Sequence, residues 1–314
     1  MDNLTHSLAG AVLGQLGLKR RTAYAMPALI IGANLPDIDA FAALLGAESL
    51  AIRRGVTHGP LAMLVLPLLL TAALLAWNRW RPNRIGRPLH RGWLLALAYL
   101  GVLSHPALDW MNSYGIRLLA PLSQRWFAGD TLFIIDVWIW LALGLAVFVS
   151  LRRERRGRAD WRAPALAGFG AACLYILGNG LLTGSAEATT QALLIERGTR
   201  PTLVVANPVP VTFWRREMLW RDAVRHGSGE WRLDRGATLA PGAAPNALDD
   251  PRLAARTDDP AVRAFLFWSR MPVVVERDGV AVLTDQRFAG PGFALLRGRG
   301  RLSPFTIPLE EAPR

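Results

Sequence analysis

The chain has 314 residues, 36 basic and 24 acidic side chains, a formal net charge of +12, and 52% hydrophobic against 19% charged residues. That apolar content excludes a disordered chain. The single cysteine, Cys173, excludes a disulfide framework and a cysteine-based zinc site.

The halves differ. Residues 1–163 hold 18 basic against 9 acidic side chains, and residues 164–314 hold 18 against 15. The first half also contains the long uncharged runs. Residues 4–18 and 24–35 are short apolar stretches, read as half-spanning or interfacial helices. No basic region precedes the first of them, so no cleavable signal peptide is expected. Residues 61–77 are apolar except for Thr71. Residues 93–108 are broken only by Ser104 and His105. Residues 132–151 carry one charge, Asp136, and residues 163–182 carry none. These four runs approach the ~20 residues a helix needs to cross a hydrocarbon core. They predict about four membrane-spanning helices rather than a soluble bundle.

Arginine sets the expected orientation. Lys19, Arg20 and Arg21 form one cluster, Arg79, Arg81, Arg84, Arg87 and Arg91 a second, and Arg152, Arg153, Arg155, Arg156, Arg158 and Arg162 a third. The positive-inside rule assigns all three to the cytoplasm. Residues 37–57, residues 112–131 and everything after Thr183 then lie outside, with Arg53, Arg54, Arg117 and Arg125 as the outer minority.

From about Thr199 the pattern becomes β-like, with runs at 202–206, 209–214, 272–276, 279–284 and 293–297 punctuated by Pro, Gly, Asn and Asp. Residues 259–268 read as a short helix with Pro260 at its first position, and residues 240–251 as a loop. The expected fold is an α-helical integral membrane domain over residues 1–183. A small β-rich α+β domain follows over residues 184–314, extracytoplasmic, with a structural or substrate-shaping role.

Ionisable groups in or beside membrane helices are costly and usually functional. In the first 163 residues they concentrate in a few motifs: Thr5-His6, Pro36-Asp37-Ile38-Asp39, Thr57-His58, Ser104-His105-Pro106-Ala107-Leu108-Asp109, and Asp130 with Asp136. The topology brings all of them to one outer level of the membrane. Imidazole nitrogen and carboxylate oxygen suit Zn²⁺, or alternatively Mn²⁺, and the absence of thiolate argues against a purely structural zinc. His105 and Asp109, four apart, share a helix face. Pro106 predicts that this helix starts or kinks there. Asp37 and Asp39 would diverge on a helix but can point at one site from a Pro-led turn. Asp136 has the alternative of pairing with an arginine such as Arg125. His90, in a basic loop, and His226, in the second half, are set aside.

The stretches MDNLTHSLAGAVLG, ANLPDIDAF, RRGVTHGPLA, LSHPALDWMNSYGIRLLAP and GDTLFIIDVWIW, with the later ANPVPVTFWR and AFLFWSRMP, resemble the YdjM family of membrane-bound, metal-dependent hydrolases, including its YfhP-like members. The resemblance covers nearly the whole chain. It implies a protein of the bacterial inner membrane. It also implies distant likeness to zinc-dependent phospholipase C and related His/Asp nucleases, hence a phosphoester or lipid-linked substrate. It implies His6, Asp37, Asp39, His58, His105 and Asp109 as metal ligands. Asp136 is a further candidate ligand, and a carboxylate not fully engaged by metal, Asp39 or Asp130, is the expected proton acceptor. A bound metal would activate water. No G-x-S-x-G occurs, which disfavours a serine esterase.

Two other classes remain. An ion- or proton-coupled transporter would also place Asp and His in the membrane, but here they gather at one level, with only Asp136 inside a span. A non-enzymatic scaffold would use the metal to hold helices. The +12 charge reads as orientation and attraction to anionic lipid. Membrane lipids and a small or lipid-linked substrate are therefore the expected partners, and nucleic acid is not.

Overall fold

In the computed structural model the apolar stretches of the first half form helices. The structure describes residues 1–82, 86–277, 279–290 and 305–310. It divides into two units, Met1–Asp39 with Arg54–Asn179, and Ala40–Arg53 with Gly180–Arg314.

Helix α1 (Asn3–Gln15) starts at Asp2, whose carboxylate accepts the Leu4 and Thr5 N–H groups left unpaired at the helix start. Helix α2 (Ala25–Asn34) runs into a 3-10 segment, Leu35–Glu48, interrupted at Gly46 (φ 63°, ψ −133°), and then into α3 (Ser49–Ile52). A 3-10 turn, Val56–His58, precedes α4 (Pro60–Trp80). Helices α5 (Arg91–Trp110), α6 (Val137–Arg155) and α7 (Ala163–Glu196) complete the helical part.

Among the described residues, three helical stretches are long and apolar enough to cross a membrane: Ala25–Ile52, Pro60–Trp80 and Ala163–Glu196, with mean hydropathy 1.6, 2.2 and 1.6. The expected count of four is not reproduced on length and apolarity. The runs at 93–108 and 132–151 do become helices, but α5 carries His105 and Asp109 and α6 ends in Arg152, Arg153, Glu154 and Arg155. Conversely, the stretch read as a half-span at 24–35 continues through the 3-10 segment to Ile52. Leu64, Leu68 and Leu69 on α4, Leu141 and Phe148 on α6, and Leu174 and Leu177 on α7 are exposed, as apolar patches that meet lipid are.

Close backbone contact sets the spacing of α1, α2 and α5. A Cβ on Gly10 or on Gly101 would stand 2.7 Å from the same Leu29 carbonyl oxygen. Glycine at both positions therefore lets α2 lie against α1 on one side and α5 on the other. Ala25, Ala28 and Leu29 pack there with Leu94, Leu97 and Ala98, and with Leu70 and Leu74 of α4. A second cluster joins Val12 of α1 to Ile139, Leu143 and Ala146 of α6 and Ala165 and Ala172 of α7. Helix α5 is continuous across Pro106, so it does not start there. The proline lies in the last turns, and His105, Pro106 and Asp109 are all buried, so packing carries the helix through the missing donor.

The second unit is β-rich. Strands β1 (Leu203–Pro208), β2 (Arg215–Arg221), β3 (Arg225–Arg232) and β4 (Gly236–Leu239) form an antiparallel sheet in that order, and β5 (Ala244–Pro245) pairs with β3. Helices α8 (Pro251–Ala254) and α9 (Pro260–Trp268) follow, the latter capped by Asp259 with Pro260 at its start, as the sequence predicts. Strands β6 (Pro272–Arg277), β7 (Val280–Asp285) and β8 (Thr306–Pro308) make a second antiparallel sheet. The run at 209–214 is not a strand. It connects β1 to β2, with Val211 at φ 67° and prolines at 208 and 210 that cannot donate to a ladder. The run at 293–297 and Arg84 lie outside the described residues.

Candidate metal centre

Three elements of the first unit supply the site. Asp37 stands at the start of the 3-10 segment after α2, His58 in the turn before α4, and His105 and Asp109 one turn apart near the end of α5. One ligand atom from each of these four side chains lies within 4.8 Å of the other three. His58 and His105 are 1% and 0% exposed, Asp109 is 0% exposed, and the Asp37 side chain retains 11%. Asp37 Oδ1 is 3.8 Å from His58 Nε2 and 3.6 Å from His105 Nε2. Asp109 Oδ2 is 3.5 Å and 3.4 Å from the same two nitrogens. The two Nε2 atoms face each other at 3.1 Å.

The hydrogen bonds behind the rings fix their tautomers. His105 Nδ1 is 2.7 Å from the Ala33 carbonyl oxygen, which can only accept, so Nδ1 carries the proton. Thr57 Oγ1 donates to Asp39 Oδ2 at 2.7 Å. Its lone pair therefore receives His58 Nδ1–H at 2.9 Å. In the neutral rings both Nε2 atoms then carry lone pairs. Two lone pairs at that distance cannot bond each other, and the Asp37 and Asp109 carboxylates beside them add further acceptors. A cation held by these four side chains would satisfy them, and ring protons tied to a carbonyl and to a hydroxyl–carboxylate relay are how metal-bound histidines are oriented. The donor set, two imidazoles and two carboxylates, fits a divalent ion of the zinc or manganese type.

The remaining expected residues fall into two groups. His6 and Asp39 adjoin the four. The His6 ring stacks on His105 with centroids 3.9 Å apart, its Nε2 lies 3.3 Å from Asp109 Oδ1, and neither of its nitrogens has a hydrogen-bond partner. Asp39 meets His58 from the opposite end of the ring, with Oδ2 3.4 Å from Nδ1. Asp37 and Asp39 thus diverge, yet both act on His58. Asp130 and Asp136 are not among the four. Asp130 is buried with a left-handed φ of 48°. Asp136 caps α6: its Oδ1 accepts from the Trp138 and Ile139 N–H groups and its Oδ2 from the Tyr175 hydroxyl.

Residues not anticipated complete the surroundings. Arg54 Nε lies 3.0 Å from Asp109 Oδ2, its Nη1 donates to Asn112 Oδ1 at 2.8 Å, and the Tyr114 ring lies under its guanidinium. Its backbone is left-handed (φ 51°), held by Asp39 Oδ2 on its N–H and by the Arg117 N–H on its carbonyl. The α-amino group of Met1 pairs with Asp109 Oδ1. The basic pair at 53–54 breaks the alternation of charged loops in the sequence, but nothing there links Arg54 to Asp109. The cluster lies at the opposite ends of α1 and α5 from Lys19 and Arg91.

A buried His/Asp cluster among apolar helices defines a membrane protein with a site suited to a metal ion. The chain belongs to the YdjM inner membrane protein family, whose model matches residues 1–186. It is 28% identical over 186 residues to the uncharacterized protein YfhP of Bacillus subtilis (strain 168), which covers 56% of this chain and 51% of that protein. The chain thus spans about half the length of the curated relative it matches. No solved structure matches.

Proposed function

We propose that the protein is a metal-dependent hydrolase of the inner membrane acting on a phosphoester or lipid-linked substrate. The observation that carries this reading is the pair of Nε2 atoms facing each other at 3.1 Å between two carboxylates. A divalent ion held there, zinc before manganese, would lower the pKa of bound water toward neutrality and polarise the scissile group. In this reading Asp37, His58, His105 and Asp109 are the ligands. Asp39 is a positioning residue, because its Oδ2 is engaged by Thr57 and the Arg54 N–H. Asp37, the ligand that reaches the surface, marks the side of approach, and Arg54 supplies fixed positive charge for a phosphoryl oxygen. Asp130 stays the candidate for taking a proton. His6 packs the wall behind His105, and Asp136 holds the start of α6.

The basic clusters would face the cytoplasm and the site the outer leaflet, with the second unit outside. Membrane lipids and a small or lipid-linked substrate are the partners in this reading. Full burial of three ligands favours one alternative, a closed structural metal site in a scaffold. The test is bound metal and turnover on phosphodiester and lipid substrates in detergent. Stoichiometric metal with hydrolysis lost in His58→Ala and His105→Ala is expected. Metal without hydrolysis of any substrate leaves the scaffold, and wild-type protein without metal overturns both.

A further inference from the structure

A second feature of the first unit lies away from the His/Asp cluster. Helices α6 and α7 touch at Gly168, where a Cβ would stand 2.8 Å from the Ala142 carbonyl oxygen. Beside this contact runs an open groove of about 560 Å³, within the range of small-molecule sites. Leu145, Ala146 and Val149 of α6 and Pro164, Ala167 and Ala171 of α7 line it, and Arg153 is the one charged residue in its wall.

We propose that this groove binds one anionic phospholipid, with an acyl chain along α6 and α7 and the phosphate at Arg153. Three observations converge on that occupant. The first is length. Eleven residues of helix separate Ala142 from Arg153, about 16 Å at 1.5 Å per residue, which is half of a ~30 Å hydrocarbon core and so the depth of one leaflet. The second is chemistry. The wall offers apolar surface along its length and a guanidinium at one end, the polarity pattern of a lipid and not of a soluble metabolite. The third is charge. Residues 152–162 carry six arginines against Glu154 and Asp160. Glu154 is engaged by Lys19 and by Arg20, and Asp160 is shared by Arg153 and Arg158 at 2.7 and 2.9 Å. The mouth of the groove therefore has surplus positive charge, held in place by Asp160 and matched to a phosphate diester. The proposal does not depend on the metal centre.

The experiment uses the full chain reconstituted with equal phosphatidylglycerol and phosphatidylcholine, extracted in mild detergent and weighed by native mass spectrometry. One phosphatidylglycerol per chain should be retained in preference to phosphatidylcholine by about fivefold, the effect of roughly one juxtamembrane arginine. Arg153→Gln should remove that preference. Ala167→Phe and Ala171→Phe fill the groove from exposed positions and should abolish retention of both lipids, with helical circular dichroism as in the wild type. Equal retention of the two lipids by the wild type overturns the proposal, as does retention unchanged in Ala171→Phe. A dimer that Ala171→Phe dissociates would assign the groove to a second copy and also overturns it. Should the phenylalanine variants not fold, a photoactivatable phosphatidylglycerol on the wild type decides. Labelling of α6 and α7 supports the site, and labelling confined to other helices refutes it.

Discussion

Each unit buries a carboxylate against an arginine, and the two carboxylates are treated differently. In the second unit Asp285 and Arg287 are both fully buried. Asp285 Oδ1 accepts from Arg287 N–H and Nε at 2.9 Å each, and Oδ2 from Arg287 Nη2 at 2.8 Å, from the Arg270 and Met271 N–H groups at 3.1 and 3.3 Å, and from the Ser269 hydroxyl. Every acceptor there meets a donor. In the first unit Asp109 carries the Arg54 guanidinium and the Met1 α-amino group, yet both His6 nitrogens lack a hydrogen-bond partner and two imidazole Nε2 atoms oppose each other at 3.1 Å. A buried polar group without a partner costs about 1–3 kcal/mol. Burial alone does not separate a structural ion pair from a functional site, whereas buried ring nitrogens left without partners do.

The largest effect that would sharpen this contrast is metal loss. His105→Ala or Asp109→Ala should reduce bound divalent metal from stoichiometric to background by elemental analysis, while Asp285→Asn should leave it unchanged. Equal metal in wild type and His105→Ala would break the comparison.

Next is the stability of the closed network. Asp285→Asn leaves Arg287 buried without its counter-charge and should cost about 3–5 kcal/mol in denaturant unfolding of the second unit. Acid should act on the same pair. Burial pushes the Asp285 carboxyl up, but Arg287 beside it and the surrounding donors outweigh this and hold it below the usual carboxylate range. A lowered native pKa contributes stability that is present above the ordinary value of about 3.9. That contribution is lost as pH falls through the native value. Melting temperature followed from about pH 6 to pH 2.5 should fall more steeply in the wild type than in Asp285→Asn; parallel curves would contradict the linkage.

Smaller effects test the surroundings of the metal centre. Asp39→Asn should weaken metal affinity about 10–100-fold without abolishing binding, because it acts through Thr57 and the His58 ring; a competition titration with a chelator measures this. Asp136→Ala should cost about 1 kcal/mol as a lost helix cap and leave metal affinity unaltered. A loss of metal in Asp136→Ala would return that residue to the ligand set.

Much of this was legible in the sequence, and the misses have physical causes. The helix at 60–80 and the first twenty residues of α7 follow from apolar runs, and α9 from Asp259 and Pro260; the continuation of α7 to Glu196 does not, because residues 183–196 are polar enough to interrupt the run. The strands β2 and β3 were not legible because RREMLWR and RHGSGEWR lack simple alternation; the pairing of Trp220 with Gly227 across them supplies what the pattern does not. Asp37, His58, His105 and Asp109 stood out as ionisable residues in an apolar context. Arg54 did not, because nothing in the sequence ties position 54 to position 109.

The sequence by itself determined that apolar helices bring His and Asp to the end opposite the basic clusters, since helix length and charge are local properties of the chain. Only the tertiary structure decided the part each acid plays: Asp37 and Asp109 at the imidazole lone pairs, Asp39 behind the His58 ring, Asp136 on the cap of α6. Periodicity says which side chains share a face of one helix. The distance between faces of different helices depends on how closely they pack, and here that rests on Gly10 and Gly101 against the Leu29 carbonyl.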